Sequence, residues 1–167
     1  MENVEVQEIE VKEPVLKNQK GFTLVELLAV IVIIGIIAAI AIPSIGAVIS
    51  KSERNSVRSS AHMIIDAART MVTTDANNTA LSDKTLTLKE LFDNGYLSAI
   101  PRDPMDRSNT FSPTASVVNV VQNGTDPEAG ITYTYTIYLA KSGGTDRFGT
   151  SAAPVAEGDI ETGTITK

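Results

Sequence analysis

The run from Phe22 to Ile42 constrains this chain more than any other feature. It reads FTLVELLAVIVIIGIIAAIAI, 21 residues with Glu26 as the one charge from Leu24 onward. As a helix, at about 1.5 Å of rise per residue, it would extend roughly 30 Å, the thickness of a bilayer hydrocarbon core. A helix on the surface of a globular core keeps a polar face, and this run has none. It is also too long for the apolar region of a typical secretory signal, and the helical pattern continues past the small residues at Ala38 to Ala41. Lys17 and Lys20 lie just before it, so the excess of cations on the cytoplasmic side places the N-terminus in the cytoplasm and makes this a single-pass span.

Outside this run the chain is polar and rich in Thr, Ser, Asn and Asp. The 167 residues suit one modest domain plus an appendage. The absence of cysteine removes disulfides, thiolate metal sites and a thiol nucleophile, and His62 is the one histidine. The net charge of −6 argues against direct nucleic-acid binding, which draws its affinity from clustered Lys and Arg. No catalytic constellation, phosphate-binding glycine loop or internal repeat is present, so composition favours a structural protein over an enzyme.

Residues 1–21 are polar and rich in Glu, Val and Lys, with Pro14 inside, and read either as a leader removed on maturation or as an ordinary N-terminal tail. Glu26 also has two readings. A carboxylate four residues into a span costs about 2.5–3.5 kcal/mol on insertion scales, which it can limit by snorkelling toward the interface near Lys20. Alternatively, a cut between Gly21 and Phe22 would create an ammonium one helical turn from Glu26. Two neighbouring helices could then pair amine with carboxylate and fix their stagger.

The segment Lys20-Gly21-Phe22-Thr23-Leu24-Val25-Glu26 resembles the cleavage and methylation motif of type IV pilins and pseudopilins. The resemblance implies a membrane-embedded prepilin peptidase that cuts after Gly21 and methylates Phe22. It implies assembly through Phe22 and Glu26, with Gly35 and Pro43 as the helix-loosening positions, and export by an assembly ATPase and its inner-membrane platform. The subunit would be a membrane precursor first and part of an extracellular filament of identical copies afterwards. The implied fold is α+β, a long hydrophobic helix whose second half packs on a small antiparallel sheet. The expected divisions are the leader 1–21, the span and filament-core half 22–43, the amphipathic half 44–76 and a head 77–167. The roles left open are a pilus subunit, a competence or secretion pseudopilin, and an anchored binding protein that never polymerises.

Beyond Pro43 apolar residues recur at Ile45, Ile49, Val57, Ala61, Ile64, Ile65, Ala68, Met71 and Val72, predicting one helix to about Thr74. Thr87 and Glu90 have capping-box spacing before a short helix that Gly95 stops. Gly95-Tyr96-Leu97 and Ile100-Pro101-Arg102-Asp103-Pro104 resemble a loop of major pseudopilins and some Gram-positive pilins. In some relatives that neighbourhood binds calcium, which makes Asp103 and Asp106 candidate oxygen ligands; the Asp-Pro pair is equally a turn former. Strands are predicted over Ser116 to Val121, Ile131 to Leu139 and Asp159 to Thr166, with Lys141 to Ala153 a loop, giving three or four strands. The tyrosines at 133, 135 and 138 could be a binding stripe or ordinary packing. His62 reads as a surface or packing residue. The sequons at Asn77 and Asn123 read as chance matches.

Overall fold

A computed structural model describes residues 22–74, 84–124 and 131–166 of the protein. The chain divides into two units, one ending at Ser44 and the other beginning at Ile45. In chain order the elements are α1 (Leu24–Thr74), β1 (Lys84–Thr87), α2 (Leu88–Asp93), β2 (Arg102–Asp103), β3 (Asp106–Thr110), β4 (Val117–Asn123), β5 (Thr132–Ala140), β6 (Asp146–Phe148) and β7 (Val155–Ala156), followed by a 3-10 turn over Glu157–Asp159.

In the first unit, α1 carries its apolar side chains outward on every side. No residue of its most apolar membrane-length window is buried, and the helix is long and apolar enough to cross a bilayer. A helix suits that setting because it satisfies every backbone donor and acceptor within the segment. The helix runs through Gly35 and Pro43 without a break.

In the second unit, α1 is amphipathic. Val57, Ala61, Ile64, Ile65, Ala68, Met71 and Val72 are buried, while Asp66 and Thr70 face water. The stripe has the three-and-four spacing that puts side chains on one helical face. It covers a sheet of order β1-β4-β5-β6, antiparallel throughout, with β7 also on β5. Alternation along β5 turns Tyr133, Tyr135, Ile137 and Leu139 toward the core, and Thr132, Thr134 and Thr136 to the other face. Phe111, Phe148 and Ile160 close the core. Each such fully buried large side chain contributes roughly 1.5–3 kcal/mol of transfer free energy.

The capping box of α2 forms as the spacing predicts. Thr87 Oγ1 accepts from Glu90 N at 3.1 Å, and Glu90 Oε2 accepts from Thr87 N at 2.7 Å. Gly95, at φ +79°, closes the helix: its own N–H donates to Phe92 O at 3.0 Å, and Tyr96 N donates to Leu91 O at 2.9 Å.

Three strand expectations are corrected. The strand expected from Ser116 begins one residue later and runs to Asn123, because the buried Ser116 hydroxyl accepts from Ala140 N at 3.0 Å. The stretch expected as a loop between Lys141 and Ala153 contains β6, too short to leave a periodic signal. The last strand, expected from Asp159 to Thr166, is absent. A 3-10 turn occupies its start, and Ile165 makes one isolated bridge to Phe148. The main sheet therefore has five strands among the described residues, with β2 and β3 forming a separate hairpin.

Candidate functional site

The start of α1 is a reciprocal cap. Thr23 Oγ1 accepts from Glu26 N at 3.3 Å, while Glu26 Oε2 accepts from Thr23 N at 2.8 Å and from Thr23 Oγ1 at 2.7 Å. Two backbone donors that a helix start leaves unpaired are thus answered inside the chain, and a carboxylate in the first turn also meets the positive end of the helix dipole. Sequence reasoning found Glu26 but not this partner. The signal was present, since Thr23-x-x-Glu26 has the same spacing as Thr87-x-x-Glu90. Phe22 is 78% exposed beside the cap. Farther along the helix, a methyl group built on Gly35 would meet nothing within 4 Å. Gly21 lies outside the described residues.

These observations describe an outward-facing apolar helix that follows an exposed aromatic, with one carboxylate, Glu26, in its first turn, four positions after that aromatic. The model of the prokaryotic N-terminal methylation motif matches residues 16–42. The chain carries the prokaryotic N-terminal methylation motif. It is 42% identical over 79 residues to the type IV major alpha-pilin of Moraxella bovis, a match covering 43% of this chain and 50% of that pilin. It is 62% identical over 39 residues to fimbrial protein Q of Moraxella bovis, covering 23% of this chain and 25% of that protein. The chain thus spans half the length of the first relative and a quarter of the second. No solved structure matches it. The α+β arrangement, a long apolar helix followed by an antiparallel sheet, is consistent with the type IV pilin fold. The pilin family consists of structural subunits and not enzymes.

The remaining candidates lie in the second unit. Asp103 and Asp106 are register partners in the β2–β3 hairpin, but their carboxylates go to different groups. Asp103 is buried and ion-paired with Arg147, with Nη2 at 2.5 Å and Nε donating to Oδ2 at 2.7 Å. Its other oxygen accepts from Met105 N at 3.0 Å, the local turn an Asp-Pro pair favours. Asp106 accepts from Asn109 Nδ2 at 2.9 Å. Among the described residues no three His, Cys, Asp or Glu converge on one point.

Arg147 escaped sequence reasoning because it sits in the stretch read as a loop, 44 positions from its partner. Its Nη1 also donates to Thr166 O at 2.7 Å, so one guanidinium joins the hairpin, β6 and the C-terminal segment.

Arg69 lies 5.2 Å over the Tyr135 ring and pairs with Asp66 and Glu157. The hydrogen bond with Glu157 is the largest cause raising the Arg69 pKa. Burial raises the Tyr135 pKa, opposed by the nearby Arg69 charge. The tyrosines are thus packing residues: Tyr133 is half-buried, and Tyr135 and Tyr138 are buried. His62 is exposed, 3.6 Å from Glu161. Asn123 Nδ2 donates to Thr134 Oγ1 at 2.5 Å. The sequon at Asn77 lies outside the described residues.

Proposed function

We propose that this chain is a structural subunit of a type IV pilus-like surface filament, polymerising through α1 after a prepilin peptidase cuts between Gly21 and Phe22 and methylates Phe22. The observation that carries this reading is the coincidence of the methylation motif over residues 16–42 with a helix whose membrane-length window has no buried residue within the chain. So much exposed apolar surface demands lipid or other copies of the same helix. Before assembly the span lies in the plasma membrane with its N-terminus cytoplasmic. Afterwards, an assembly ATPase and its inner-membrane platform having extracted it, it lines the filament core. In that state Phe22 and Glu26 set the register between copies, and Gly35 and Pro43 mark where the helix can loosen. Nucleic acid is not a direct partner. A calcium ion on Asp103 and Asp106 would have to displace the Arg147 guanidinium from Asp103.

A second reading, a single-pass anchor that never polymerises, draws on one observation: Glu26 already has hydrogen-bond partners in its own chain. Glu26→Val separates the two. In the filament reading the variant inserts in the membrane, but sheared filaments fall at least about tenfold, because the carboxylate that sets register in the apolar bundle is gone. Normal filaments carrying Val at this position would rule out the register role.

A further inference from the structure

Two charged features of the second unit lie on opposite flanks of α1. The first is an open cleft of about 510 Å³, lined on α1 by Ile49, Ser52 and Glu53 and on the hairpin by Arg102, Asp103 and Arg107. Asp103 is neutralised by Arg147. Arg102 and Arg107 are exposed, and the hydrogen bond at their heads is Arg102 Nη1 to the Arg107 carbonyl at 3.4 Å. Among the described residues no carboxylate forms an ion pair with either guanidinium, so two arginines stand against the single charge of Glu53.

The second feature is the turn over residues 157–161. Arg69 holds it through Glu157, Arg58 Nε donates to Ile160 O at 3.2 Å, and His62 faces Glu161. Asp159 stays exposed without an ion pair among the described residues, and the Glu161 side chain is 75% exposed.

At 3.6 residues per turn, the cleft positions (49, 52, 53, 56) and the positions that hold the turn (58, 62, 69) point to faces about half a turn apart. The buried stripe lies between them, so the arginines and the exposed carboxylates of one chain cannot meet. Opposite charges on opposite flanks match only across different copies. Such a contact joins two unlike surfaces and propagates from copy to copy, as a ring or an open helical array, instead of ending at a dimer. Of the net charge of −6 the leader holds −2 (five Glu, three Lys), so mature copies of side-chain charge −4 also repel one another unless surfaces of opposite sign are opposed.

We propose that the Arg102–Arg107 cleft receives the Asp159–Glu161 turn of a neighbouring copy, joining heads in a directional contact within the filament. This rests on the filament reading and adds its head-to-head register. The two features are separated by about eleven residues along α1, so the contact displaces neighbouring heads by about 16 Å along that axis. Exposed ion pairs bind weakly, so the contact sets direction and stagger while the apolar helices supply adhesion.

The absence of cysteine allows a clean test. The full-length chain carrying both Arg107→Cys and Asp159→Cys is expressed in the native host, and intact filaments are oxidised. The contact predicts a ladder of dimers and higher multimers on a non-reducing gel, with each single variant remaining monomeric. In parallel, Arg102→Glu with Arg107→Glu lowers sheared filament yield about tenfold, and adding Asp159→Lys with Glu161→Lys restores it to within about threefold. Abundant filaments with no ladder, or full yield from the reversed cleft, overturn the contact and leave the filament reading intact. Wild-type cells that make no filament from this chain overturn both.

Discussion

Arg147→Ala is the substitution whose cost is most readily worked from the structure. Arg147 and Asp103 are 3% and 1% exposed, so neither charge has water to fall back on. Truncating Arg147 removes both contacts to Asp103 Oδ2 and the donor to Thr166 O, leaving the carboxylate with one hydrogen bond, from Met105 N. Breaking a buried pair by deleting one partner costs about 3–5 kcal/mol, whereas a surface pair is worth about 0.2–1 kcal/mol. Against a typical domain stability of about 5–15 kcal/mol this is a large fraction, and for a head of this size it lowers the melting temperature by roughly 10–20 °C. The assay is thermal unfolding of the full chain in detergent, followed by the near-ultraviolet circular dichroism of its four tyrosines, since there is no tryptophan. A control replaces both partners, Asp103→Leu with Arg147→Met, and is expected to lie within about 1.5 kcal/mol of the native chain because no charge is left buried. If Arg147→Ala costs less than about 1 kcal/mol, the pair behaves as a surface pair and the argument from burial is wrong.

Three further outcomes follow from the same geometry. Gly163→Ala places a methyl 2.7 Å from Phe148 Cε2 and 2.9 Å from Val155 Cγ1, against a fully buried ring; unfolding should show a loss of about 1–3 kcal/mol, while Gly158→Ala, which meets nothing within 4 Å, changes little. Burial, then the hydrogen bond to Asp146, pushes the Tyr138 phenol from 10.0 up to about 12. The unfolded chain releases that proton first, so this contribution to stability is complete below about pH 10 and is lost as pH rises toward 12; alkaline melting curves should show the fall, and Tyr138→Phe should flatten it. Gly21→Arg is expected to block processing, leaving a full-length chain by intact mass; complete maturation of that variant would remove the cleavage assignment.

The elements with strong local signals were legible in the sequence. The apolar run and the stripe from Val57 to Val72 gave α1 its end at Thr74, and Thr87, Glu90 and Gly95 gave α2 both of its ends. Alternation found β5, because nine residues are enough for period two to show. What escaped was either short or distant. The three residues of β6 carry no periodicity, and Gly163, tight against Phe148, lies inside the segment from Asp159 to Thr166 expected as a last strand. The partner of Asp103 could not be read because an ion pair across 44 positions leaves no local trace. The cap on α1 is a different kind of miss. Its spacing is readable, but a carboxylate in an apolar run has an insertion cost as well as a capping role, and spacing alone does not separate the two.

The most direct test of the central claim is the intact mass, with N-terminal peptide mapping, of the chain recovered from the surface of its native host. The filament account predicts a mature chain that begins at N-methylated Phe22. A chain that retains Met1 to Gly21 and stays in the membrane would contradict it.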